Sequence, residues 1–255
     1  MESKIARNEM GNKGNVNVRP YQRCTRCVMD TTDSKITFDE NGVCDHCRNF
    51  DVNIKPYWKA DENRYDELME VAEKIKKAGK GHDYDCILGL SGGADSSYLA
   101  YIAKEVMGLR PLAYVVDTGW NLNVAVENIE KIVKGLDLDM YTDVINWKEM
   151  SDFQLSMFKS QISSQDAPQD HAIFASLYNY AVKHHIKYIL TGSNNSTEFI
   201  RPPVEWIYMN DLRMYKDIHK KFGKREMKTY PTCGILRYRI LYKYFFGMKR
   251  FFPLD

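Results

Sequence analysis

Two loops rich in glycine and serine carry residue types that bind phosphate together with a divalent cation. The first lies between an apolar run and an amphipathic helix and reads Ser91-Gly92-Gly93-Ala94-Asp95-Ser96-Ser97. Its glycines allow a tight turn and a close approach to a ligand, while its hydroxyls and the amides of a helix start can donate to an anion. A plain turn with a serine cap would explain the glycines and serines but not Asp95, which fits a Mg²⁺ ion bridging it to phosphate.

The second loop follows another apolar run and reads Gly192-Ser193-Asn194-Asn195-Ser196-Thr197-Glu198. If both runs are strands of one parallel sheet, Asp95 and Glu198 converge where open α/β sheets bind ligands. The alternative is a polar turn with Glu198 in solvent. Arg201 follows closely, and its guanidinium suits a pyrophosphate or the diphosphate of a sugar nucleotide.

Four of the six cysteines form two pairs, Cys24-x-x-Cys27 and Cys44-x-x-Cys47. This spacing is typical of a structural Zn²⁺ ion held by four thiolates, and an iron–sulfur cluster is the alternative. The intervening residues fit a short hairpin that turns near Asn41-Gly42. We expect His46 to be exposed rather than a ligand, Cys86 to be a buried hydrophobe, and Cys233 to have a core or loop role rather than act as a nucleophile.

Elements that can position these loops begin near residue 84, where short apolar runs alternate with amphipathic helices. The pattern predicts a doubly wound α/β fold with a parallel sheet. The expected strands are Tyr84–Leu90, Leu112–Asp117, Met140–Ile145 and Tyr188–Thr191. The expected helices are Asp61–Ala78, Ser96–Met107, Asn123–Leu136, Met150–Ser163 and Asp170–His184.

Composition limits the classes of protein. With 36 Lys and Arg against 34 Asp and Glu, the formal charge is +2, which argues against a nucleic-acid partner. There is neither a long apolar run nor an apolar leader, so we expect a cytoplasmic protein without a membrane partner. We predict a flexible tail at 1–20, a cysteine module at 21–53, a linker helix at 54–83, the α/β domain at 84–208 and a basic, aromatic segment at 209–255.

The first loop resembles the PP-loop, SGGxDS, of the ATP pyrophosphatases, which include NAD synthetase, GMP synthetase and tRNA thiolation enzymes. The resemblance implies a HUP-like, adenine nucleotide alpha hydrolase-like fold that cleaves ATP between its α and β phosphates. It also implies that backbone groups around Val115, Val116 and Asp117 read the adenosine. The second loop resembles that of NAD synthetases, in which Gly192 and Ser193 would contact ATP and Glu198 would hold Mg²⁺ with Asp95.

Several segments together resemble the N-acetyl sugar amidotransferases of lipopolysaccharide and flagellin-sugar pathways, over roughly residues 20 to 240. They are RCTRCVMDTTD, FDENGVCDHC, LGLSGGADSSYLAY, VVDTGWN, QDAPQDHAIFASLY and TGSNNSTE. The resemblance implies transfer of AMP from ATP to the acetamido oxygen of an N-acetylated sugar nucleotide, followed by attack of ammonia from a separate glutaminase subunit. It also implies a longer chain, so that we expect a C-terminal portion to be missing and the segment 209–255 to pack normally on those residues or on a partner.

The residues predicted to act in catalysis are Asp95, Ser96, Lys148 and Glu198. Lys148 and the stretch from Asp166 to His171 lie beyond strand ends and could orient the acceptor, but each could equally be a helix cap or a solvated face; Asp170 is a plausible N-cap. Two other functions stay open. A tRNA thiolation enzyme should carry cysteines beyond the zinc set, and only Cys86 and Cys233 remain; a non-catalytic nucleotide sensor would not need the two acids.

Overall fold

A computed structural model describes residues 19–56, 64–162, 165–193 and 211–251. The chain divides into two compact units, Met1–Val52 and Asn53–Asp255. Most of the predicted tail, the start of the predicted linker helix, and the residues from 194 to 210 lie outside the described residues. The finer domain boundaries stay predictions.

The first unit is built around its cysteines. An antiparallel bridge pairs Phe38 with Cys44 across the expected turn. At that turn Gly42 has a φ of +74° and its amide donates to the Asp39 carbonyl at 3.0 Å. Helix α1, Asp45–Asn53, follows and buries Cys47.

The second unit contains a five-stranded sheet in which every neighbouring pair is parallel. The strands are β1 Cys86–Gly89, β2 Pro111–Asp117, β3 Met140–Val144, β4 Tyr188–Leu190 and β5 Lys249–Phe251, in the order β3-β2-β1-β4-β5. Because β1 lies between β2 and β4, the chain runs outward from β1 in both directions. The order therefore reverses at β1, which is where open α/β sheets form their ligand crevice.

Helices connect the strands. They are α2 Tyr65–Gly79, α3 Ala94–Tyr101, α4 Asn123–Gly135, α5 Trp147–Ser160, α6 Ala167–Lys183 and α7 Leu212–Phe222. Helix α3 continues as a π-helical turn, Ile102–Val106, and a longer π-helical segment, Arg237–Phe245, precedes β5.

Both faces of the sheet are covered, because successive strand side chains point to opposite sides. Cys86 and Leu88 pack with residues of α2, α3 and α4. Ile87, between them, packs with α6 and with the π-helical segment. The predicted doubly wound parallel α/β fold is thus confirmed. Among the described helices, none combines the length and hydropathy that a membrane span requires.

A third apolar cluster joins α5, α6 and α7 through Phe153, Ala172 and Tyr215. The segment after α7 is attached to α5 by two carboxylates, of the buried Glu149 and the half-buried Asp152. Glu149 accepts from the amides of Thr229 at 2.9 Å and Tyr230 at 2.7 Å. Asp152 accepts from the amides of Lys224 and Arg225. We call residues 224–231 the strap.

Four helix starts differ from the sequence-based expectation: α2 begins four residues later, α3 two residues earlier, and α5 and α6 each three residues earlier. Helix α5 begins at Trp147, three residues before the predicted Met150, because the side chain of Asn146 caps it by accepting from the amides of Lys148 and Glu149. Helix α6 begins at Ala167 rather than Asp170, and Pro168 stands in its first turn, where proline is tolerated. Asp170 is therefore inside the helix, and its prediction as the N-cap is wrong.

Candidate functional site

The glycine-serine loop connects β1 to α3 at the carboxyl edge of the sheet. Gly92 has a φ of +75°, and a Cβ there would clash with the carbonyl oxygen of Ala125 in α4. Asn128 of α4 donates through Nδ2 to the Gly92 carbonyl at 3.2 Å. Glycine is thus required at this position both by backbone conformation and by the approach of α4.

Three serine hydroxyls fix the shape of this loop. The Ser91 amide donates to Ser96 Oγ at 3.2 Å, and the two hydroxyl oxygens are 3.0 Å apart. Ser97 Oγ donates to the Gly93 carbonyl at 2.6 Å. Ser96 is buried, so its hydroxyl serves the loop in this structure, and its predicted part in catalysis stays a prediction.

Asp95 lies in the first turn of α3 and is exposed. A carboxylate is electrostatically favoured at a helix N-terminus, and this one is available to a cation. The other predicted Mg²⁺ ligand, Glu198, and the predicted phosphate ligand Arg201 lie outside the described residues. Their roles stay predictions.

The second predicted loop meets the first. A Cβ on Gly192, which follows β4, would lie 3.0 Å from the Asp95 carbonyl carbon and 3.0 Å from the Ser96 amide nitrogen. This contact arises because β1 and β4 are neighbouring parallel strands whose carboxyl ends share one edge. Ser193, the last described residue of that loop, is half-buried.

Two buried hydroxyls flank the glycine-serine loop without a hydrogen-bond partner among the described residues. They are Thr118 Oγ1, after β2, and Thr191 Oγ1, after β4. Leaving a buried hydroxyl unpaired costs about 1–3 kcal/mol, so such groups call for a ligand or water. A polyphosphate bound at this edge of the sheet would supply hydrogen-bond partners for these hydroxyls. Neither threonine is among the predicted site residues, although Thr118 belongs to the strand end, Asp117 to Gly119, that is predicted to lie at the adenosine.

The end of β2 is organised by Asp117. Its Oδ1 accepts from the Gly119 amide at 2.9 Å and from Asn121 Nδ2 at 3.4 Å. Val116 is half-buried at the same strand end. The predicted contact of Val116 and Asp117 with adenosine stays a prediction.

The remaining acceptor candidates occupy different environments. Lys148 is exposed in the first turn of α5, and no described contact joins it to the glycine-serine loop. His171 is buried in α6, where its Nε2 accepts from the Cys233 amide at 3.3 Å. Burial lowers the pKa of His171 to about 4, so the ring is neutral near pH 7. Its environment is that of a core histidine.

The four paired cysteines of the first unit converge. Their sulfurs all lie within 4.8 Å of one another, with Cys24 Sγ 3.9 Å from Cys47 Sγ and Cys27 Sγ 3.6 Å from Cys44 Sγ. Four sulfurs about 2.3 Å from a central Zn²⁺ would be about 3.8 Å apart in a tetrahedron. The residues therefore fit a closed, structural zinc site.

Backbone hydrogen bonds favour the thiolate form of Cys24, which is the form that binds a metal ion. Burial raises the pKa of the Cys24 thiol, but amide hydrogen bonds from Cys44, Arg26 and Cys27 outweigh it and lower the pKa to about 6.

His46 is outside the group of four converging sulfurs; its Nε2 lies 2.7 Å from Asp33 Oδ2, and only 9% of the residue is exposed. The expectation that it is exposed is wrong. Cys86, as expected, is fully buried in β1, while Cys233 is half-buried.

Comparison with known proteins adds the family. The sequence model described as NAD synthase matches residues 63–201, more than half of the chain. This protein belongs to the NAD synthase family. The matched residues include both glycine-containing loops, so the family match and the contact at Gly192 concern the same edge of the sheet.

Two relatives of this NAD synthase family member come from archaea. An uncharacterized protein of Methanocaldococcus jannaschii is 26% identical over 174 residues, covering 67% of this chain and 58% of that protein. The NH3-dependent NAD⁺ synthetase of Thermococcus kodakarensis is 24% identical over 177 residues, covering 65% of this chain and 67% of that protein. The chain thus spans less than two thirds of the first relative's length.

Among solved structures, an NH3-dependent NAD synthetase of Campylobacter jejuni in complex with nitrate is similar. It is 21% identical, with a TM-score of 0.39, and the match covers 53% of this chain and 59% of that one.

Proposed function

We propose that this protein is an ATP-dependent amidotransferase that converts the acetamido group of a nucleotide-linked N-acetyl sugar into an acetamidino group. The observation that carries the proposal is the contact between the two loops, in which Gly192 packs on the backbone of Asp95 and Ser96. Membership of the NAD synthase family, with a relative named an NH3-dependent synthetase, supports ATP-driven transfer of ammonia nitrogen. The motif resemblance over residues 20 to 240 supports an acetamido sugar as acceptor.

The proposed reaction has two steps. The acetamido oxygen attacks the α-phosphorus of ATP, so an O–P bond forms, the α–β phosphoanhydride breaks and pyrophosphate leaves. Ammonia then adds to the activated carbon and loses a proton, and AMP departs with the original amide oxygen. An amide oxygen is a poor leaving group, and adenylylation turns it into a good one without a cysteine nucleophile.

The residues of the loop have distinct proposed tasks in this reaction. Ser91, Gly92, Gly93 and Ser97 form the proposed pyrophosphate cradle. The Ser91 amide and the Ser97 hydroxyl donate within the loop and shape it, so the Gly92 amide and the Ser91 hydroxyl are the proposed donors to the anion. Asp95 and Glu198 would hold a Mg²⁺ ion, which would supply charge neutralisation at the phosphates. We also propose a cytoplasmic location, and a separate glutaminase as the source of ammonia.

The test uses the purified full chain with ATP, Mg²⁺, ammonium and a panel of nucleoside-diphosphate N-acetyl sugars. AMP and pyrophosphate should form only when sugar nucleotide and ammonium are both present, and the sugar product should carry NH in place of one oxygen by mass spectrometry. Asp95→Asn should abolish AMP formation, while the exposed carboxylate variant Asp217→Asn, in α7, should retain it.

Three other results would replace the proposal. AMP formation that requires tRNA and a sulfur donor would indicate thiolation. Formation of NAD⁺ from its deamidated precursor and ammonium would indicate the reaction named for the Thermococcus relative, which is the second candidate because of that match. ATP binding without turnover under every condition would indicate a nucleotide sensor.

A further inference from the structure

A cleft of about 820 Å³ opens beyond the carboxyl end of β3. It is lined by residues 143–148, which run from β3 into α5, and by Ser176, Thr229 and Pro231. The volume lies in the range of about 300–1,000 Å³ that is typical of small-molecule sites. None of these residues belongs to the glycine-serine loop, so the cleft is a separate feature of the same sheet edge.

One buried hydroxyl in the cleft wall lacks a partner. Ser176, in α6, is 3% exposed, and its Oγ makes no hydrogen bond within the described part of the chain. A buried hydroxyl in that state costs about 1–3 kcal/mol unless a bound group satisfies it. The hydroxyl therefore points to a polar ligand or water in the cleft.

The charge of the cleft comes from side chains rather than from the helix end. Helix α5 starts here, but the amides of Lys148 and Glu149 already donate to Asn146 Oδ1, at 3.0 and 3.4 Å. An anion would therefore meet the ammonium group of Lys148. Asp143 accepts from the Tyr114 hydroxyl at 3.1 Å through one carboxylate oxygen and can accept further hydrogen bonds from a hydroxylated ligand.

The cleft also contains a fixed aromatic side chain. Trp147 is 47% exposed, and its ring meets that of Trp120 edge to face, with centroids 5.1 Å apart. Gly119, with a φ of +84°, packs so closely on the Trp147 ring that a Cβ would overlap it. The indole is thus held in place with part of its surface open, as an aromatic platform for a flat ring requires.

Another part of the cleft lining belongs to the strap, through Thr229 and Pro231. Thr229 donates from its amide and its hydroxyl to Glu149 Oε1 and Oε2, at 2.9 to 3.2 Å. This attachment fixes Thr229 beside α5 without using Lys148. The wall is therefore set by the fold before any ligand arrives, which lowers the cost of binding.

We propose that this cleft is the acceptor site and that it takes a nucleoside diphosphate N-acetyl sugar. Lys148 pairs with the diphosphate, Trp147 stacks with a ring, and Ser176 hydrogen-bonds to a polar atom of the acceptor. This assignment rests on the proposed function. Since β3, β2 and β1 are neighbours about 4.8 Å apart, the cleft lies about 10 Å along the sheet edge from β1, the strand that precedes the glycine-serine loop. A sugar nucleotide is long enough to bridge that separation.

The first test separates a binding role of Ser176 from a structural one. Ser176→Ala removes an unpaired hydroxyl, so the free energy of unfolding should stay the same or rise, while the KM for the sugar nucleotide should rise about threefold to tenfold. Lys148→Met should raise that KM at least about tenfold, and Lys131→Met, at an exposed position of α4, should not change it. The KM for ATP should change less than about twofold in all three. An unchanged acceptor KM, or a parallel rise in the KM for ATP, would overturn the assignment.

The second test needs no turnover. Amide hydrogen exchange of residues 143–148 is measured with uridine, guanosine, cytidine and thymidine diphosphate N-acetylhexosamines, and separately with a non-hydrolysable ATP analogue. At least one sugar nucleotide should slow exchange there, and Lys148→Met should remove the effect. Protection by the ATP analogue alone, or by no probe, would overturn the site. Protection by a sugar nucleotide without AMP formation would support the binding site and contradict the proposed amidotransfer reaction. AMP formation that Ser176→Ala and Lys148→Met leave unaffected would support the reaction and contradict the site.

Discussion

Gly192 shows how a single residue can set the geometry of the candidate site. Its backbone conformation does not require glycine, but a Cβ would lie 3.0 to 3.2 Å from backbone atoms of Asp95 and Ser96, which cannot yield as a flexible side chain would. We expect Gly192→Ala to displace the start of α3, to destabilise the protein by about 1–3 kcal/mol and to lower AMP formation at least about tenfold.

The control for this variant is Gly135→Ala. Gly135 ends α4 and has open space where a Cβ would be, so alanine should be neutral or stabilise by up to about 1 kcal/mol. Both variants would be compared by steady-state AMP formation and by urea unfolding. Full activity in Gly192→Ala would show that the two loops do not need this contact.

The cysteine cluster leads to a prediction about metal content. We expect the purified protein to contain a single zinc ion per chain, and Cys44→Ser to lose it, because Cys44 is fully buried and supplies one of four converging sulfurs. Cys233→Ser, which changes a cysteine of the other unit, should keep the metal. Elemental analysis measures both. Iron with visible absorption instead of zinc would support the cluster alternative.

At the scale of elements, strands were easier to predict than helix starts. The expected strand Leu112–Asp117 differs from β2 by one residue, because β2 is a mostly buried apolar run and such runs mark strands in the sequence. The start of α5 was misplaced because the apolar pattern begins later than the cap at Asn146. Boundaries set by one capping side chain are therefore less visible than those set by burial.

The attachment of the strap to α5 gives a prediction that depends on pH. Burial raises the pKa of Glu149, but hydrogen bonds from Thr229 and Tyr230 more than compensate and lower it below its usual range. A depressed pKa means that the charged form contributes stability above the unfolded-state pKa of about 4.3, and that this contribution is lost as the pH falls through the folded-state pKa. Glu149→Gln should therefore destabilise by about 1–3 kcal/mol at pH near 7.

The difference between wild type and Glu149→Gln should shrink as the pH falls below about 4.3. Glu70→Gln is the matched control, because Glu70 is exposed on α2 and forms a solvent-exposed ion pair with Lys74 at 3.8 Å. It should change stability by less than about 0.5 kcal/mol at either pH. Urea unfolding of the three proteins at pH near 7 and at a pH below about 4.3 measures these differences in the free energy of unfolding. A difference that stays constant with pH would exclude the ionised carboxylate as the cause.

At the scale of the whole molecule, the sequence predicts four strands of the sheet but not β5, the edge strand next to β4. Strand β5 has three residues, Lys249–Phe251, with no apolar periodicity of its own, and it exists because it pairs with β4 some sixty residues earlier in the chain. The strap was unpredictable for the same reason, since Glu149 and Thr229 are 80 residues apart. The loops after β1 and β4 were predictable because glycine and serine spacing is local.

The contribution of the β5 segment to stability can be tested at Met248, which directly precedes the strand. Met248 is 4% exposed and packs in the cluster that contains Ile189 of β4, so Met248→Ala should cost about 2–5 kcal/mol. Tyr244→Ala, in the same C-terminal segment but 79% exposed, should change stability by less than about 0.5 kcal/mol. Urea unfolding of both variants measures the difference. Equal, small effects would mean that the C-terminal segment does not pack on the sheet, and the stability of the parallel core would then depend on β1 to β4 alone.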